Sequence, residues 1–91
     1  MAGKKRDASE RAIVETLRAV GATVEYLSGP NVPDLLVGHC GGNWLMEVKM
    51  PKGKVSEGQA LWQRNWMGTV NVVRTPEEAL RVIGVRLGRT G

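Results

Sequence analysis

Two adjacent glycines, Gly41 and Gly42, stand between two short apolar segments, residues 33–38 and 43–50. Apolar runs of this length bounded by turn residues read as strands, and a short glycine-bearing connection makes them a β-hairpin. The spacing predicts a four-residue loop over 39–42. If Gly38 faces Asn43 across it, facing positions sum to 81, and Asp34 stands directly opposite Glu47. Directly opposed side chains have Cβ atoms ~4.5–5.5 Å apart. Lys49 lies two residues beyond Glu47 and projects from the same face. A segment that otherwise reads as core strand thus brings two acids and one base to one spot.

The flanking segments set the rest of the order. Ile13, Leu17 and Val20 share one face of a helix expected over 7–20, which Gly21 stops. Residues 22–27 read as a strand, with Val24 and Tyr26 on one face, and residues 28–31 as a turn. A basic loop over 51–55 carries Lys52 and Lys54. Ser56-Glu57-Gly58-Gln59 has the form of a capping box, opening a second helix expected to run to about Met67 and end at Gly68. Val70 begins a fourth strand over 70–74. Thr75-Pro76-Glu77-Glu78 opens a last helix with an N-cap, a proline at the first position and acids in the first turn. The order is α-β-β-β-α-β-α.

Ninety-one residues hold one core. A single domain over 1–91 is expected, with 1–6 and 85–91 as flexible ends. A chain this short buries only about 60–65% of its unfolded surface, so a compact α/β core or a partner subunit must supply stability. The composition, 42% hydrophobic and 24% charged, is that of a globular protein. No apolar run approaches the roughly 20 residues of a membrane helix. The charged N-terminal stretch has no apolar core of a signal peptide. One cysteine, Cys40, and one histidine, His39, argue against an internal disulfide and a Cys/His zinc site. A reduced, cytoplasmic protein is expected. The net charge of +4 is compatible with a polyanionic partner.

Asp34, Glu47 and Lys49 together fit a divalent metal. Mg²⁺ takes one or two carboxylates plus waters and phosphate oxygens. A lysine beside the ion can orient a water for attack on phosphorus. The same Asp…Glu-x-Lys spacing also occurs in a surface ladder with solvated side chains. Glu10 falls on the apolar stripe of the first helix, where a buried acid requires a partner or a metal. It equally suits a partly exposed first-turn acid. The Lys52-Gly53-Lys54 loop leads into a helix N-terminus, an arrangement that suits phosphate, and also reads as an ordinary solvated loop. Gln59 is in reach of the strand that carries Glu47 and Lys49, or serves the capping box alone. Trp62 and Trp66, one turn apart, read as core or dimer contacts, with base stacking requiring exposed rings. His39 and Cys40 read as incidental turn residues. With no Phe and one Tyr, Tyr26, the chain has no aromatic platform for RNA.

Pro33-Asp34 followed by Glu47-Val48-Lys49 resembles the PD-(D/E)XK nuclease signature. The run from Glu47 to Gln59 is similar to the E-V-K-x-P-x-G-x-x-S-x-x-Q pattern of the VRR-NUC branch, and the resemblance spans about 10–83. It departs at Asn31, where the family often has glycine, and Asn tolerates the same left-handed geometry. The resemblance implies a restriction-endonuclease-like α/β core with a mixed four-stranded sheet. It implies a Mg²⁺- or Mn²⁺-dependent endonuclease acting on DNA. Asp34, Glu47 and the Val48 carbonyl would hold the metal, with Glu10 completing the site. Lys49 would activate water, and Gln59 would lie near the scissile phosphate. Lys52, Lys54, Ser56 and Gln59 would contact DNA. Products would be a 5′-phosphate and a 3′-hydroxyl. Small stand-alone members resemble Holliday-junction resolvases, are typically homodimers and are often phage-encoded. Two alternatives stand beside branched-DNA cleavage. One is a nonspecific or nicking DNase working with larger phage or repair machinery. The other is a nucleic-acid-binding module without turnover.

Overall fold

A computed structural model describes residues 7–86. The element order is α1 (Ala8–Ala19), β1 (Thr23–Tyr26), β2 (Leu35–His39), β3 (Gly42–Val48), α2 (Glu57–Asn65), β4 (Val70–Val73) and α3 (Pro76–Val82). This is the α/β order expected. Of the expected flexible ends, 1–6 and 85–91, residues 1–6 and 87–91 lie outside the described residues. Val85 does not belong to a loose tail: its N–H donates to the Leu80 carbonyl at 2.9 Å, and its side chain packs on the core.

The four strands form one mixed sheet in the order β1-β2-β3-β4. The first three pair antiparallel, and β4 runs parallel to β3. A parallel neighbour requires a crossover, which α2 provides. The hairpin register places Gly38 opposite Asn43, as the turn chemistry predicts. The loop is shorter than expected. His39 pairs with Gly42, leaving Cys40 and Gly41 as a two-residue turn with φ of 50° and 84°. Both turn residues at positive φ match the right-handed twist of the strands.

α1 is capped by Asp7, whose carboxylate accepts from the Glu10 N–H at 2.9 Å. It ends in a Schellman motif: Gly21 N–H donates to Arg18 O, and Ala22 N–H to Leu17 O. Its buried stripe is Glu10, Ile13, Val14 and Leu17, so an acid does sit in line with the apolar residues. Val20, expected on that stripe, is the C-cap and is exposed. In β1, Val24 is buried but Tyr26, expected on its face, is largely exposed.

The core lies between one face of the sheet and the α1/α3 pair. Ile13, Leu17, Val37, Met46, Val73 and Leu80 are among its members. Burial of each such side chain contributes roughly 1.5–3 kcal/mol. The helix α2 departs from expectation. It ends at the Trp66 C-cap, not near Gly68, and none of its residues is buried. The tryptophan pair is therefore not core. Trp62 and Trp66 stack on each other at 5.0 Å between centroids, and Trp66 is 46% exposed. No helix among the described residues is long and apolar enough to cross a membrane.

Candidate active site

The site forms where β2 begins and β3 ends. Asp34 directly precedes β2; pairing ends at Leu35–Met46, and one further step of that register would set Asp34 opposite Glu47. The next step would put Pro33 opposite Val48, where regular strand pairing has already stopped. There the Asp34 side chain takes over: its Oδ2 accepts the Val48 N–H at 2.8 Å. The Asp34 carbonyl accepts from Leu27 N–H at 2.8 Å on the other side. Asp34 is thus fixed from Leu27, just past β1, and from β3, and Pro33 beside it is fully buried.

Glu47 and Lys49 alternate with Met46 and Val48, so they turn away from the core face. Glu47 is 1% exposed, and its Oε2 accepts from Gln59 Nε2 at 2.9 Å. Lys49 Nζ lies 3.5 Å from the same oxygen and donates to Gln59 Oε1 at 2.7 Å. That oxygen also accepts the Ser56 N–H at 3.0 Å, while Gln59 N–H donates to Ser56 Oγ at 3.1 Å. Both offices considered for Gln59 are filled at once. The capping box seats its amide, and the amide ties Lys49 to Glu47.

These groups line a cleft of about 260 Å³ formed by Asp7, Glu10, Asp34, Glu47, Val48, Lys49 and Gln59. Glu10, Asp34 and Glu47 are all buried. The solvated-ladder alternative therefore does not describe Glu47, nor the exposed first-turn alternative Glu10. Among the described residues, four carboxyl groups and one ammonium line this cleft. Asp7 was expected only as the start of α1. The Asp7-Ala8-Ser9-Glu10 spacing places both acids on the first turn, and that was the available signal.

The metal reading is tested by the donor set. Among the described residues no group of three or more His, Cys, Asp or Glu side chains forms a ready-made metal site. Asp34, Glu47 and the Val48 carbonyl offer oxygen only. His39 and Cys40 lie at the opposite end of β2, with Sγ and Nε2 3.8 Å apart. One or two carboxylates with waters and substrate oxygens suit Mg²⁺ or Mn²⁺ and do not suit a soft ion. The residues fit such an ion without forming a closed cage for it.

Lys52, Lys54 and Ser56 do not line the cleft. Both lysines are exposed on the turn between β3 and α2, and Ser56 is the N-cap of α2. A larger groove, about 660 Å³, involves Leu36, Trp44, Leu45, Trp66 and Thr69. It is lined by none of the acids. Comparison with protein-family models, with curated proteins and with solved structures found no match.

Proposed function

We propose that the chain is a divalent-metal-dependent DNA endonuclease of the PD-(D/E)XK type, close to the VRR-NUC branch. The observation that supports this most is that Asp34, whose Oδ2 accepts the Val48 N–H next to Glu47, lines one cleft with Glu47 and Lys49. Asp34 and Glu47, with the Val48 carbonyl, would hold Mg²⁺ or Mn²⁺, and Glu10 would complete the negative wall. A bound divalent ion supplies Lewis-acid polarisation of a phosphate oxygen and lowers the pKa of a nearby water. Lys49 orients the attacking water and balances charge building on the phosphorus oxygens. Gln59 keeps the Lys49 ammonium aimed into the cleft and holds Glu47 in register. Hydrolysis on this plan leaves a 5′-phosphate and a 3′-hydroxyl.

Branched DNA is the substrate class we assign, with a homodimer as the acting form. The exposed apolar residues Leu61, Trp66 and Met67 at α2 and just beyond it suit a second copy better than solvent. A two-fold dimer would present two clefts to two strands. The test is incubation of the purified protein with a labelled four-way junction and a matched linear duplex, in Mg²⁺, Mn²⁺ or EDTA. Paired, metal-dependent nicks on the junction alone are expected. Cutting of both DNAs would remove the junction preference, and metal-independent inertness toward both would favour a binding module.

A further inference from the structure

The basic turn that follows β3 is closed and then clamped. Gly53 N–H donates to the Met50 carbonyl at 2.8 Å, folding residues 50–53 into a turn. Arg74, the residue after β4, reaches across to it, and its Nη2 donates to the Gly53 carbonyl at 2.9 Å. The base of Arg74 is itself held. Its N–H bonds Glu78 Oε1 at 2.6 Å, and Glu78 N–H bonds Thr75 Oγ1 at 3.1 Å. On the near side of the turn, Lys49 N–H donates to the Val73 carbonyl at 3.0 Å. Two successive residues of one chain segment, Val73 and Arg74, therefore hold Lys49 and Gly53 respectively. Lys52 and Lys54 flank Gly53 and are exposed.

A guanidinium bonded to a neutral carbonyl has chosen shape over charge pairing, and four of its five donors remain outside that bond. Holding a turn before the ligand arrives removes an ordering cost from binding. We propose that Arg74 is a positioning residue for the DNA backbone. It holds the 50–53 turn so that Lys52 and Lys54 meet phosphates beside the Lys49 cleft together. This rests on the nuclease reading above. In that frame Arg74 acts through the two lysines and is not itself a catalytic residue.

Two measurements test it. The first needs no DNA. Trypsin cuts after Lys52 and Lys54, and loss of a charged hydrogen bond that closes the turn should raise nicking there by about ten-fold in Arg74→Ala. The second is a binding cycle on a duplex oligonucleotide in EDTA, with wild type, Arg74→Ala, Lys52→Ala/Lys54→Ala and the triple variant. Each lost phosphate contact flattens the plot of log K against log salt by about 0.9. Arg74→Ala should flatten it by about two contacts' worth and add nothing to the double variant. Unchanged nicking overturns the clamp. A one-contact loss that adds fully to the double variant overturns it in favour of direct phosphate contact. Faster nicking with unaltered binding makes Arg74 structural only. Wild type that neither binds nor cuts DNA defeats the nuclease reading and this role with it, while the nicking rates still decide the clamp. If Arg74→Ala does not fold, Arg74→Lys carries both measurements.

Discussion

Lys49 Nζ and Gln59 Oε1 are 2.7 Å apart, and the other end of the same amide donates to Glu47 at 2.9 Å. The amide can take only one orientation here, since its oxygen faces two donors and its nitrogen faces a carboxylate. Gln59→Ala should lower the rate of cleavage by about 10–100-fold, as loss of a supporting contact to a ligand does. Gln59→Glu should be worse than its size suggests, because it sets a second carboxylate against Glu47. Single-turnover kinetics on one DNA would rank the two.

The N-cap shares this network. Ser56→Ala removes the acceptor for Gln59 N–H and should cost about 1 kcal/mol in urea unfolding. It should also reduce cleavage, since the Gln59 backbone loses its anchor. A stability loss with full activity would show that Gln59 is held by Lys49 and Glu47 alone.

Asp34 has a structural office separable from its chemical one. Asp34→Ala leaves the Val48 N–H without its 2.8 Å acceptor and should destabilise the fold by about 1–3 kcal/mol. Asp34→Asn keeps an oxygen for that N–H and should unfold near the wild-type midpoint. Both should fail to cut DNA. Denaturation curves beside cleavage assays separate the two effects.

A divalent ion that binds the folded cleft must stabilise the fold. At a hundred times its Kd the gain is about 2.7 kcal/mol. For a domain of this size each kcal/mol moves Tm by about 4–8 °C. Mg²⁺ or Mn²⁺ should therefore raise the wild-type Tm markedly over EDTA, and Glu47→Gln should lose most of that rise.

Gly58 is crowded from outside its helix. A Cβ there would lie 2.5 Å from Asn31 Oδ1, and Asn31 sits at φ 65°. Ala normally gains up to about 1 kcal/mol over Gly in a helix. The crowding atoms are all in the exposed Asn31 amide, which can swing aside, so Gly58→Ala should gain somewhat less than that in the wild type and more in an Asn31→Gly background. Paired urea titrations give the comparison.

How far the sequence carried depends on the range of each contact. The hairpin register was legible because glycine turn and strand alternation are local, and it brought Asp34, Glu47 and Lys49 together. The turn length was not, because Cys40 at positive φ is a left-handed geometry that a non-glycine residue rarely signals. Gln59 was ambiguous because one side chain serves two neighbours. The Trp62/Trp66 spacing reads as a buried helix face, yet α2 is a crossover that lays the pair on itself. Arg74 left no local trace, since its partner Gly53 lies across the crossover and meets it only in the folded chain.

The most direct test is the single-turnover rate of DNA cleavage in Mg²⁺ by wild type and by Lys49→Ala, with folding checked by circular dichroism. An oriented water beside a positioned ammonium is worth about 10²–10⁴-fold. A folded Lys49→Ala protein slower by that margin, with wild-type cutting abolished in EDTA, is the predicted result. A Lys49→Ala protein that cuts at the wild-type rate would contradict it.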